Sequence, residues 1–180
     1  MDCIPRYRTN VSKALETILW LATRQAGIDV YHVVKACYFA DKHHVSRYGR
    51  PICGDSYEAA PFGPLPQIVY GLLRSDPIEM LALGGNGDLP FVVDRQHRVT
   101  AKREANLRLL SESDAEALAF ALDHVRNRSF NDLFEETHSD PAYVKATGGR
   151  MDYRDMISDE DPARDDKRAY IEETSSQFAI

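Results

Sequence analysis

The chain has 180 residues, 43% of them apolar and 28% charged, which fits one domain, or a smaller domain with an appendage, with a core of its own. No apolar run nears the roughly 18 residues that cross a bilayer, and MDCIPRYRTN lacks the apolar segment of a secretion signal, so a soluble cytoplasmic protein with no membrane partner is expected. A net charge of −6 leaves no surplus of cations for phosphates, which argues against nucleic acid as a partner.

Asn10 is placed to cap a helix from Val11 to about Ala26, with Val11, Leu15, Ile18, Leu19 and Ala22 on one face and Gly27 as its stop. Asp29 caps a longer helix that reaches Tyr48 and closes at Gly49 and Pro51. Its stripe is Val30, Val33, Val34, Cys37 and Tyr48, and Asp41 and His44 fall on it one turn apart. Residues 50–55 read as a turn and Ser56–Ala60 as a short extended piece. Pro61-Phe62-Gly63-Pro64-Leu65-Pro66 cannot be helical through its first half, yet Pro66 suits the first turn of a third helix facing inward through Leu65, Ile68, Val69, Leu72 and Leu73. After the glycine-rich loop 84–88, Phe91-Val92-Val93 and Val99-Thr100-Ala101 form a hairpin. Ser113 with Glu116 fits a capping box before a fourth helix. Ser129 with Asp132 opens a fifth, with Phe130, Leu133 and Phe134 inward, and Asp140-Pro141 restarts the chain toward Lys145. The fold class expected is α+β, mainly helical, with a small antiparallel hairpin.

Gly148-Gly149 marks a boundary between a globular part, 1–147, and an acidic C-terminal segment, 148–180. The last thirty residues carry nine acids against four bases, a net of −5 that leaves −1 for the rest. Tyr170, Ile171, Phe178 and Ile180 stand among these acids, a composition poor for independent folding and suited to ordering on a partner. A solvated tail is the simpler alternative.

Catalytic residue types crowd only at Asp41-Lys42-His43-His44. Asp41 could orient His44 as a general base or metal ligand. Alternatively the two are a buried polar pair tying the long helix to the loop after it. No triad partner or activated nucleophile accompanies them, and a metal would need further ligands such as His138 or Asp55. Cys3, Cys37 and Cys53 fit neither a disulfide framework nor a zinc pattern, no phosphate-binding glycine motif occurs, and no cofactor is expected. Tyr57 and Phe62, beside prolines, offer an aromatic groove for a peptide or anchor the irregular segment to the core. A helix-turn-helix over 11–48 is disfavoured, because its second helix carries Tyr31, Val33, Val34, Cys37, Tyr38 and Phe39 where base-reading residues would stand.

The run Tyr38-Phe39-Ala40-Asp41-Lys42-His43-His44, then Arg47-Tyr48-Gly49-Arg50-Pro51-Ile52, Gly54-Asp55-Ser56-Tyr57-Glu58-Ala59 and Phe62-Gly63-Pro64-Leu65-Pro66 resembles the Panacea, or SocA-like, antitoxin domain, a family often described as phage-associated. Leu110–Asp114, Asp132-Leu133, Thr137-His138 and Pro141 are similar to its second stretch, so the likeness spans about 11–147. The resemblance implies a largely helical fold with a small antiparallel sheet and a non-enzymatic protein that neutralises a toxin encoded beside it. Toxins of the family are diverse and include toxic small-alarmone synthetases, alongside other inhibitors of translation or replication. In one branch the antitoxin is a proteolytic adaptor that delivers its toxin to a ClpXP-type protease. The motif residues Asp41, His44, Arg47, Tyr48, Gly49, Pro51, Gly54, Asp55, Gly63, Pro64 and Pro66 are taken as structural, with no catalytic role carried over. Expected partner-binding residues are Tyr57 and Phe62, the acids Asp159, Glu160, Asp161, Asp165 and Asp166, and the apolar anchors Tyr170, Ile171 and Phe178. A metal-assisted hydrolase built on Asp41, His43 and His44 is the alternative from another class.

Overall fold

The computed structural model describes residues 3–84 and 88–175. Helix α1 (Val11–Arg24) begins where the Asn10 side chain accepts the Lys13 N–H, and α2 (Val30–Tyr48) where Asp29 accepts the His32 N–H. Gly49 ends α2 in the left-handed conformation, returning its N–H to the Val45 carbonyl. From Lys13 to Ala22 every residue of α1 is buried, so α1 is a central helix and not the one-faced surface helix its spacing describes. Helix α5 (Glu112–Val125) packs along α2 and completes the helical core. Its capping box is Ser111 with Asp114, two residues earlier than Ser113 with Glu116. Ser113 is engaged elsewhere: its hydroxyl lies 2.9 Å from His44 Nε2.

Two antiparallel hairpins accompany the helices. Strands β3 (Phe91–Val93) and β4 (Val99–Ala101) are those the alternation predicts. The other hairpin pairs β1 (Tyr57–Ala60) with β2 (Gly63–Pro66), from Tyr57 opposite Pro66 to Ala60 opposite Gly63. A strand containing two prolines is not legible as one, but prolines are tolerated at a sheet edge where their missing N–H goes unused. Pro66 then stands as the N-cap residue of α3 (Gln67–Leu73). Three short elements follow in order: α4 (Pro77–Ala82), which the sequence reading lacks, α6 (Phe130–His138) and α7 (Pro141–Ala146).

Described residues beyond Thr147 are folded onto this body. The Met151 N–H donates to the Tyr57 carbonyl and the Ala59 N–H to the Gly149 carbonyl, so residues 149–151 lie along the free edge of β1 as a short third strand. A 3₁₀ turn, Tyr153–Met156, buries Tyr153 and Met156. Helix α8 (Arg164–Ser175) then lies across the C-terminal end of α2, with Ile171 wholly buried and the Lys167 ammonium donating to the Ser46 carbonyl. No helix among the described residues is long and apolar enough to cross a membrane.

Candidate functional site

The cluster on α2 separates in three directions. Asp41 is buried and accepts the Ile52 N–H at 2.7 Å and the Tyr57 hydroxyl at 2.9 Å. His44 is also buried, with Nδ1 2.8 Å from the Arg50 carbonyl. A carbonyl only accepts, so Nδ1 carries the proton and Nε2 takes the Ser113 hydroxyl. Burial lowers the pKa of His44 despite that carbonyl and the Asp114 carboxylate 3.4 Å from Nε2, which favours the neutral ring, and both nitrogens are engaged. His43 instead stacks on Phe120, ring centroids 4.1 Å apart. Asp41 and His44 therefore each tie α2 to the loop that follows, through separate partners and not as a bonded pair. Among the described residues no group of three or more His, Cys, Asp or Glu side chains is placed to hold a metal. His138 binds the Phe134 and Pro61 carbonyls, and Asp55 caps α3.

Beneath them sits an ion network. Asp114 is fully buried, 2.8 Å from Lys13 Nζ and 3.3 Å from an Arg50 nitrogen. Burial pushes its carboxyl up, but Lys13, the Ser111 N–H and Arg50 outweigh it and hold the group below the usual carboxylate range. Among the remaining motif residues, Arg47 is exposed over the Tyr48 ring, Pro51 is buried, and Gly54 packs its backbone on Tyr7. Tyr57 is a core residue, edge-on to Tyr38 and Tyr153, and offers a partner no surface.

The C-terminal candidates divide by accessibility. Asp159 and Glu160 are exposed, Asp159 pairing with Arg164 at 2.7 Å. Asp161 pairs with Lys167 at 2.6 Å, whereas Asp165 and Asp166 face solvent on α8. Tyr170 is half exposed against Gly49. Ile171 has no exposed surface, so it anchors α8 to its own domain and cannot meet a partner while docked. Phe178 lies outside the described residues.

A concavity of about 590 Å³ runs between α2, the β1–β2 hairpin and α6. Tyr31, Phe62, Leu65, Tyr70 and Phe130 line it, with Lys35 among the lining residues. Phe62 is 63% exposed and Phe130 44%, with ring centroids 6.1 Å apart, and Phe130 also meets Tyr31 at 4.5 Å. From Phe130 the aromatic surface continues along α6 and onto α7 through Phe134, His138 and Tyr143. Sequence periodicity places Phe130 inward; the structure turns it outward, because Leu133 and Thr137 fill the buried side of α6. Tyr31 and Lys35 also escape the sequence reading as site residues, their only signal being their position one turn apart on α2.

Gly63 permits this arrangement. Its φ is +95°, and a Cβ there would stand 2.6 Å from Thr137 Oγ1 and 2.8 Å from Lys35 Nζ. Gly63→Ala is expected to cost about 2–4 kcal/mol through strain and collision, read as a lower urea midpoint. An unchanged midpoint would show that the hairpin does not need this approach.

One family model matches the chain over residues 33–143, the model described as Antitoxin SocA-like, Panacea domain. No curated protein and no solved structure matches the chain. The match runs from α2 into α7 and so contains the Asp41–Asp55 motif, the β1–β2 hairpin, Phe62 and Phe130. With most of its length in that match, and with the motif residues forming the frame that holds α2, the hairpin and α5 together, the chain belongs to the SocA-like antitoxin family, Panacea domain.

Proposed function

We propose that this protein neutralises a cognate toxin protein by binding it directly, and that the groove bounded by Phe62 and Phe130 is the principal docking surface. The observation that carries this reading is a contiguous aromatic patch inside the antitoxin-family match, with Phe62 and Phe130 exposed and Tyr31 and Phe134 half-buried beside them. Scattered exposed apolar residues are ordinary, but contiguous ones mark interaction surfaces, and aromatic anchors supply most of the energy in such contacts. The exposed acids Asp159, Glu160, Asp165 and Asp166 lie outside that groove and would speed encounter with a basic toxin surface more than hold it.

The test is co-expression with the product of the adjacent gene. Growth arrest by that product and rescue by this chain are expected. Phe130→Glu should abolish rescue while leaving the thermal midpoint within a few degrees of wild type, since the ring is already half in water. Full rescue by Phe130→Glu would remove the groove from the interface. Toxin recovered intact in a stoichiometric complex supports occlusion, whereas a shortened toxin half-life dependent on a ClpXP-type protease would make the protein an adaptor.

A further inference from the structure

Under the aromatic rim of the groove lies an amine with little to bind. Lys35 is only 1% exposed, and Nζ donates to the Pro64 carbonyl at 3.1 Å while facing the Tyr31 ring at 4.9 Å from its centroid. Among the described residues no carboxylate pairs with it. Asp29, the one acid in the groove lining, is engaged by His32, which lies 2.7 Å away and also donates its backbone N–H. An ammonium has three donors, so two remain. Beside it the Tyr31 hydroxyl is buried without a hydrogen-bond partner. Unsatisfied donors in an apolar cleft are costly, and their cost is relieved by an acceptor that brings its own apolar cover.

We infer that the groove takes a short segment of the toxin in which an aspartate, a glutamate or the terminal carboxylate is flanked by apolar side chains, the carboxylate meeting Lys35 and Tyr31 and the flanking groups packing on Phe62 and Phe130. This rests on the direct-binding reading and names the chemistry of what that site recognises. Charge complementarity selects an anion, because the lining supplies an unpaired cation and its only acid is already committed. Burial, which pushes the Lys35 amine down to about 7 in the empty groove, would be offset by the incoming anion. A peptide fits better than a small amphiphile because the aromatic surface extends past the groove along Phe134 and His138. That leaves a track for further residues of one chain.

The experiment uses the full chain and a displayed library of random peptides, followed by calorimetry with the selected peptides. Peptides with one acid between apolar residues should be enriched. Replacing that acid by its amide should weaken binding by roughly tenfold or more, the scale of a charge-assisted hydrogen bond. Lys35→Met should do the same without lowering the thermal midpoint, as an apolar residue of similar volume replaces a buried charge. Tyr31→Phe, which removes only a hydroxyl, provides the milder second variant and should weaken binding severalfold. Failure to select any peptide, selection of peptides lacking an acid, or equal binding by Lys35→Met each overturns the inference. Binding of laurate with the same Lys35 dependence, in the absence of peptide binding, would assign the groove to a lipid carboxylate and overturn it too. The rescue assay separates the two readings. Rescue without peptide recognition removes this inference alone, and acid-dependent peptide binding without rescue removes the toxin-neutralisation reading.

Discussion

A chain truncated after Gly149 is expected not to fold. Such a truncation removes Met151, Tyr153, Met156, Ile157 and Ile171, all buried against the body. At about 1.5–3 kcal/mol each, their transfer from water contributes roughly 8–15 kcal/mol as an upper bound, comparable with the whole stability of an ordinary domain. The loss extends beyond apolar area. Tyr153 donates its hydroxyl to the Asp55 carbonyl at 2.5 Å and lies edge-on to Tyr7 and Tyr57. Residues 149–151 also cover the edge of β1, whose unpaired groups would otherwise invite association. Loss of near-ultraviolet circular dichroism and recovery in aggregates is the expected result. A cooperative unfolding transition in the truncated chain would show instead that the acidic segment is a separable appendage. A shorter deletion from Ser176 onward leaves every described contact in place and serves as the control.

Asp55→Ala is expected to cost about 3–5 kcal/mol, the range for removing the buried acceptor of several N–H groups. One Asp55 oxygen accepts the N–H groups of Ser56 at 2.6 Å and Ile68 at 2.9 Å, and the other accepts that of Val69 at 2.9 Å. The carboxylate thus joins the turn before β1 to the first turn of α3. A urea midpoint lowered at unchanged denaturant slope would confirm it, and a midpoint within experimental error of wild type would refute it.

The same group gives stability a pH dependence of definite sign. Burial, opposed by those three N–H groups and reinforced by the nearby Asp41 charge, pushes Asp55 up to about 7 from an ordinary 3.8. A carboxyl whose folded pKa is raised contributes stability that is complete below about 3.8 and is lost as pH rises through about 7. The stability difference between wild type and Asp55→Asn, which cannot titrate, should therefore move against wild type between pH 4 and 7. Buried Asp41, pushed by desolvation up to about 6, adds a component of the same sign. Stability of wild type rising relative to Asp55→Asn over that interval would contradict the assignment.

Much of the helical scaffold is local chemistry and can be read from the sequence alone. Asn10, Asp29, Ser129 and Asp140 each accept an N–H in the first turn of the helix they precede, and Gly49 takes the left-handed stop at the end of α2. These bonds join residues two to four apart, so sequence spacing encodes them. The family motif is legible for the same reason, being nearly contiguous from Tyr38 to Pro66, and with it the family.

What the sequence leaves open depends on contacts between residues far apart in the chain. Two serines, Ser111 and Ser113, offer competing caps for α5, and His44, 69 residues away from Ser113, settles the choice by binding it. Whether Phe130 faces in or out depends on which side of α6 meets the β1–β2 hairpin, and the approach of Gly63 to Thr137 decides it. The acidic composition of the C-terminal segment describes its exposed face, Asp159, Glu160, Asp165 and Asp166, and conceals that Tyr153 and Ile171 complete the core. Segments with few apolar residues are held by where those few residues land, and that position is set by tertiary packing, which no local pattern records.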